Sequence, residues 1–233
     1  MKKILGLIVF TFAIFLTGCS NFASELTFAH LSDIHIPGFP DENTKAQSNQ
    51  ERVLRDAIWE INKTPGIDFT IFTGDMLNFT DKNLFTYILR ICSDLKMPWY
   101  YTVGNHDILI GEHIPSGEII EIVKKENPYY KFDGAYYAFQ PKKGFTIIGL
   151  QGNREADDNW CTGYIPKDQL DFLDKVLTER KKDTILIFMH TPLMPPVDFM
   201  PEHDITNKDE VFEVLSKHKQ PIAIFAGHYH VTK

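Results

Sequence analysis

The sequence predicts an α/β fold in one domain, with a mixed pair of β-sheets enclosed by helices. Two observations predict it. Short apolar strands alternate with one-sided helices along both halves of the chain, the pattern of βαβ units in a largely parallel sheet. Between the halves lies a hairpin signal, two apolar runs joined by Pro141-Lys142-Lys143-Gly144. Neither a composition shift nor a flexible linker separates the halves, and 233 residues suffice for one well-buried domain.

The elements follow in order. Leu26 to Ile34 is an apolar strand running into a loop, and Gly38 to Gln47, polar and holding Pro40, is loop. Gln50 to Lys63 places Val53, Leu54, Ala57, Ile58 and Ile61 on one helical face, and Pro65-Gly66 stops it. Asp68 to Thr73 is a short strand. Thr80 to Lys96 is a helix with Thr80-Asp81 as its cap and Leu84, Tyr87, Ile88, Ile91 and Leu95 on its apolar face. Trp99 to Val103 is the next strand. The hairpin joins Tyr136–Gln140 to Phe145–Leu150. Pro166 to Arg180 is a helix with Leu170, Leu173, Val176 and Leu177 on one side. Thr184 to Met189 is a strand, Asn207 to Lys217 a helix, and Pro221 to Ala226 the last strand.

The N-terminus has a separate meaning. Met1-Lys2-Lys3 is positive, and Ile4 to Leu16 is an uncharged apolar run of 13 residues. That is short of the roughly 20 residues needed to cross a bilayer but suits a secretory leader. The run ends in Leu16-Thr17-Gly18-Cys19, which resembles the bacterial lipobox, where the cysteine thiol receives lipid. The resemblance implies a leader over 1–18, a lipid-bearing Cys19, a spacer over 19–25 and a domain over 26–233, held outside the cytoplasm on a bacterial membrane. An ordinary leader with an unrelated cysteine is the competing reading. Cys92 and Cys161 lack the spacing of a zinc or redox motif. A disulfide between them is chemically permitted outside the cytoplasm, but two unpaired core thiols are expected.

The net charge of −7 gives no electrostatic reason for a nucleic-acid polymer as partner, although bound metals can reverse the field locally for a small phosphorylated substrate. Residues of metal-ligand type fall where apolar strands end: Asp33 and His35, then Gly74-Asp75, then Gly104-Asn105-His106-Asp107, then His190, then Gly227-His228-Tyr229-His230. In an α/β sheet ligands bind at the carboxyl ends of strands. Each piece alone is common. Five in this order, three preceded by a glycine that permits close approach, point to a built site.

This set of DxH, GD, GNHD, a separate His and GHxH is similar to the calcineurin-like metallophosphoesterase family, from about Leu26 to the end of the chain. The resemblance implies a four-layer α/β/β/α sandwich and a pair of ions, Mn, Fe or Zn. Asp33, His35, Asp75 and His230 would surround one ion. Asp75, Asn105, His190 and His228 would surround the other, with Asp75 shared. The ions would hold a hydroxide between them for in-line attack on phosphorus. It gives His106 the task of stabilising the phosphate or protonating the leaving oxygen. Asp107 could orient His106, or it could merely stabilise the turn.

Other histidines are expected to be structural. His30 would support the site from behind, while His113, His203 and His218 lie in loop or surface context. Trp160 and Tyr164 could line a pocket or pack in the core, and Tyr229 should point away from the metals. Asn78 stands where many family members have an acid, and tyrosine there would be needed to resemble the purple acid phosphatases. The chain ends three residues after His230, so family strands beyond GHxH are expected to be missing, leaving a weakly held edge. The implied function is hydrolysis of a small phosphomono- or diester, with a lean to diesters. The alternatives are a catalytically weak metal-binding surface lipoprotein, which the short C-terminus favours, and a nuclease, which the charge disfavours.

Overall fold

The computed structural model describes residues 9–12, 25–41, 46–153, 161–196 and 203–230. Two four-stranded sheets form the centre. The first holds β1 (Val9–Phe12), β2 (Leu26–Leu31), β3 (Phe69–Phe72) and β4 (Trp99–Tyr101) in that spatial order. The second holds β5 (Tyr137–Lys142), β6 (Phe145–Gly149), β7 (Thr184–Phe188) and β8 (Ile222–Phe225), also in order. Three strands of each sheet run parallel, with β1 and β5 as antiparallel edges. The expected hairpin is therefore present as β5 and β6.

Alternation along the strands assigns the layers. Phe28, Phe69 and Ile71 meet Ile147, Leu186 and Phe188 between the sheets. The Phe28 ring stands edge-on to Phe188 at 5.4 Å, so the apolar faces interlock. Neighbouring residues such as Ala29 and Phe72 face outward, onto helices. There α1 (Asn49–Lys63), α2 (Lys82–Cys92) and α4 (Ser116–Glu126) cover the first sheet. On the other side α5 (Lys167–Glu179) and α6 (Lys208–Ser216) cover the second. This is the expected α/β/β/α order. Central strands buried on both faces read as unbroken apolar runs, which is why they were legible.

Helix ends follow their caps. The Ser48 side chain accepts from Glu51 N at 3.0 Å to open α1. Asp81 accepts from Asn83 N and Leu84 N to open α2, because Thr80 is engaged elsewhere through its hydroxyl on the His106 carbonyl. That helix stops at Cys92 rather than Lys96. Asp94 N and Leu95 N tighten onto the carbonyls of Ile91 and Cys92, turning the chain toward Pro98 and β4. Two helices lie outside the sequence expectation: α4, which buries Ile119, Ile120 and Val123, and the single turn α3 (Asn105–Ile108).

Val9–Phe12 falls inside the expected leader and pairs with β2. Cys19 and Trp160 lie outside the described residues. Cys92 is buried and Cys161 half-buried, both as free thiols. Burial pushes both thiols up, away from thiolate chemistry. Among the described residues, no helix is long and apolar enough to cross a membrane.

Candidate metal centre

Because β2, β3, β4, β7 and β8 run parallel within their sheets, their carboxyl ends meet on one rim and deliver side chains from both sheets. The loops are stitched together there. Asp33 N donates to Gly74 O and His35 N to Asp75 O. Across the sheets, His228 N donates to both oxygens of Asp33, at 2.9 and 3.0 Å.

Glycine makes this proximity possible. A Cβ on Gly104 would stand 2.2 Å from Asp75 N, and one on Gly227 only 1.9 Å from Ser32 Oγ. Gly74 is tight in the same way and also needs its φ of 81°. Among the described residues, positive φ outside glycine occurs at Asp33, His35, Asp75, His228 and His230 alone. Asp and His tolerate that region better than most side chains. Such backbone still costs about 1–3 kcal/mol at each position, so its concentration here marks a functional site.

Two groups of donors result. Asp33, His35, Asp75 and His230 form one, and Asp75, His190 and His228 the other, with donor atoms inside each group within 4.8 Å of one another. Asn105 belongs with the second, its Oδ1 lying 2.9 Å from His190 Nε2. The sequence-selected set is thus brought together whole, with Asp75 common to both groups.

The hydrogen bonds fix which atoms are available. His190 Nδ1 donates to the Thr73 carbonyl at 2.7 Å, so that in the neutral ring the lone pair is on Nε2. His228 Nε2 donates to the Cys161 carbonyl at 2.9 Å, which leaves one on Nδ1. Those two nitrogens face each other at 3.1 Å, with Asp75 Oδ2 at 3.3 Å from His190 Nε2. In the other group His35 Nε2 and His230 Nε2 stand 3.0 Å apart. Of each facing pair of imidazole nitrogens no more than one can serve as donor to the other, so each group turns at least one lone pair inward, where a cation would take it. Buried His35 Nδ1 and Asn105 Nδ2 also lack a partner, as happens where a site is built for a group other than polypeptide. A mixed imidazole, carboxylate and amide set of this kind suits Mn, Fe or Zn.

Electrostatics agree. For His190, burial favours the neutral ring, but the carboxylates of Asp75 and Asp33 outweigh it and hold the pKa at about 9. Burial and the neighbouring His190 charge push His228 down to about 4. For Asp33, burial works toward protonation, yet the His230 hydrogen bond and the surrounding rings hold it well below the usual carboxylate range. The cluster calls for positive charge at its centre.

His106 lies at the edge of this group, its ring edge-on to His35 at 4.6 Å. Its Nδ1 donates to the Asn78 carbonyl at 2.8 Å, which fixes the ring with Nε2 on its far side. The Asn78 contact uses only a backbone oxygen, so the side chain in the acid's place leaves it intact. Of the two readings open for Asp107, its contacts match the one that stabilises the turn. Its oxygens accept from the backbone N–H groups of Asp75, Met76, Leu77 and Gly104 and from the Tyr101 hydroxyl. It is fully buried and clamps two ligand loops together rather than orienting His106 or meeting substrate.

His30 supports from behind as expected, its Nε2 at 2.7 Å from Thr73 Oγ1, the residue whose carbonyl holds His190. His218 ties α6 to α5 through Asp174 at 2.9 Å. His203 is closer than expected, its ring 5.4 Å from that of His228. Tyr229 turns toward His203, and Tyr164 is exposed. The carbonyls of Thr73, Cys161 and Asn78 have no sequence signal. Asn153 had one: Gly152-Asn153 follows the apolar β6 just as the chosen motifs follow theirs, and its Nδ2 holds the Val103 carbonyl at 2.6 Å.

A two-sheet sandwich with paired donor groups on one rim defines a metal-dependent phosphoester hydrolase. Residues 26–232 match the family of calcineurin-like phosphoesterases, and the chain belongs to it. It is 27% identical to a protein of Moraxella catarrhalis named as a probable cyclic nucleotide phosphodiesterase, covering 90% of this chain and 74% of that one. Identity is 22% to a rice manganese-dependent ADP-ribose/CDP-alcohol diphosphatase, with 88% and 77% covered. A dimetal phosphatase of Danio rerio shares the fold with a TM-score of 0.65 at 18% identity, over 88% of this chain and 82% of that one.

Proposed function

We propose that the protein hydrolyses a small phosphodiester, with cyclic nucleotides the first class to test, and that Cys19 holds it by lipid to the outer side of a bacterial membrane. The observation that carries the catalytic reading is the pair of donor groups sharing Asp75, with His106 beside them. When bound, a pair of ions would supply the Lewis acidity that ionises water at neutral pH and the charge that phosphoryl oxygens require. The protein's residues do the rest. Thr73 and Cys161 fix the imidazole tautomers, and Asp107 locks the loops of Asp75 and Asn105. His106, held at Nδ1 by Asn78, turns Nε2 to the substrate, where the imidazolium form would donate a hydrogen bond to a phosphate oxygen or a proton to the leaving oxygen. Phe79 and Tyr164, 56% and 39% exposed on loops of this rim, offer flat apolar surface to a base. The names of the bacterial relatives support the diester. The leader and Leu16-Thr17-Gly18-Cys19 support the anchor.

The test is a panel of cyclic nucleotides, aryl phosphodiesters and aryl phosphomonoesters, each assayed with Mn, Zn and Fe and with chelator. Metal-dependent turnover with diesters preferred is expected. Absence of turnover on every ester by metal-loaded protein would leave the non-catalytic lipoprotein reading.

A further inference from the structure

At the rim opposite the metal centre the loops of the second sheet are strongly basic, while those leading into β3 and β4 are mixed, with Asp68 and Asp94 beside Lys63 and Lys96. Parallel strands that end at the centre begin on this far face, so the loops leading into β6, β7 and β8 gather there. Residues 141–144, 180–183 and 217–221 contain seven Lys or Arg and one acid, Asp183, in a chain whose net charge is −7. Lys142, Lys143, Arg180, Lys181, Lys182 and Lys219 are all exposed. The domain's N-terminus emerges on the same face. The Glu25 carbonyl accepts from Lys142 Nζ at 3.0 Å, and Lys142 also pairs with Asp68 at 2.7 Å. Thr27 is fixed to Asp68 on both sides, N–H to carboxylate and carbonyl to N–H. Removal of a leader ending at Gly18 would take Val9–Phe12 away and leave these contacts in place.

From this placement we infer that the basic face lies against the anionic lipid headgroups of the membrane that carries the anchor, with the metal centre turned away from it. The inference rests on the proposed lipidation of Cys19. Five residues lie between Cys19 and Glu25, and fully extended the segment reaches only about 20 Å. The face bearing Glu25 is therefore tethered close to the headgroups, within range of their negative surface potential. A second feature points the same way. Trp59, 56% exposed, sits one turn from the end of α1 that approaches this face, with Lys63 Nζ 2.9 Å from its ring centroid. Exposed tryptophan beside lysine is the pairing found at bilayer interfaces. The result is an enzyme held with its basic floor on the lipid and its site open to soluble substrate.

The test is lysine footprinting. The full chain, purified from membranes, is reconstituted into vesicles with and without phosphatidylglycerol, acylated briefly, and compared with detergent-solubilised protein by peptide mass spectrometry. Lys143, Lys181, Lys182 and Lys219 should lose labelling several-fold in anionic vesicles only. Lys82 and Lys167, at the rim end of their helices, should not change. A Lys143→Glu/Lys181→Glu/Lys182→Glu variant should still sediment with vesicles yet leave Lys219 labelled as in detergent. Sedimenting protein with a uniform footprint would overturn the orientation alone. Protection already present in detergent would mean that a second copy covers the face, and would also overturn it. Protein that never sediments with vesicles would overturn the anchor and this inference with it, while turnover of soluble ester, read in parallel, reports separately on the catalytic reading.

Discussion

At the residue scale, His106 separates chemistry from metal binding. Its ring is held from behind by Asn78 and stands beside the ligand groups without belonging to either. His106→Ala should lower kcat/KM by about 100-fold or more, the usual worth of a placed acid or donor. Metal content should be unchanged. Loss of metal in that variant would make His106 a ligand instead. His190 yields a second prediction. Burial lowers its pKa, but Asp75 and Asp33 overcome this and hold it at about 9 in the metal-free protein. A raised pKa stabilises the fold fully below the ordinary value of 6.5, and the contribution fades as pH climbs through about 9. Metal needs the neutral ring, so loading at pH 7 should release a proton, and affinity should strengthen as pH rises toward 9. Calorimetry in buffers of different ionisation enthalpy reads this directly, and identical heats in all buffers would contradict it.

At the element scale, legibility depended on whether a pattern is carried by side chains. Strands buried on both faces were plain in the sequence, and the metal-ligand residues stood out because polar side chains ended apolar runs. What escaped was carried by backbone or by context. Helix α4 has its apolar residues at Ile119, Ile120, Ile122 and Val123 between charged neighbours, a short cluster rather than a repeating stripe. The carbonyls that set the imidazole tautomers leave no trace in residue type. Asp107 was legible as important, but only its five donors show that it is a clamp. Glycine's role was visible in outline, while its physical reason differs by position: positive φ at Gly74, room for a neighbouring backbone at Gly104. Gly104→Ala should therefore force the Asp75 and Asn105 loops apart, cutting metal occupancy and activity together while circular dichroism stays native-like. A Gly104→Ala protein with full metal content would show that the close approach is dispensable.

At the scale of the whole molecule, the two sheets supply different parts of one site. Asp33, His35, Asp75 and Asn105 come from the first sheet, and His190, His228 and His230 from the second. The interlocked rings of Phe28, Phe69, Phe188 and Phe225 between the sheets set the spacing of those two sets. Catalytic geometry is thus a property of the sandwich rather than of either half. The strain at five positive-φ ligands is borne by that packing and by the hydrogen bonds across the rim. Anomalous diffraction from a manganese-loaded crystal is the most direct measurement of this arrangement. Two peaks about 3.5–4 Å apart, one on each side of Asp75, are expected from a shared-carboxylate pair. A single peak, or peaks away from Asp75, would contradict it.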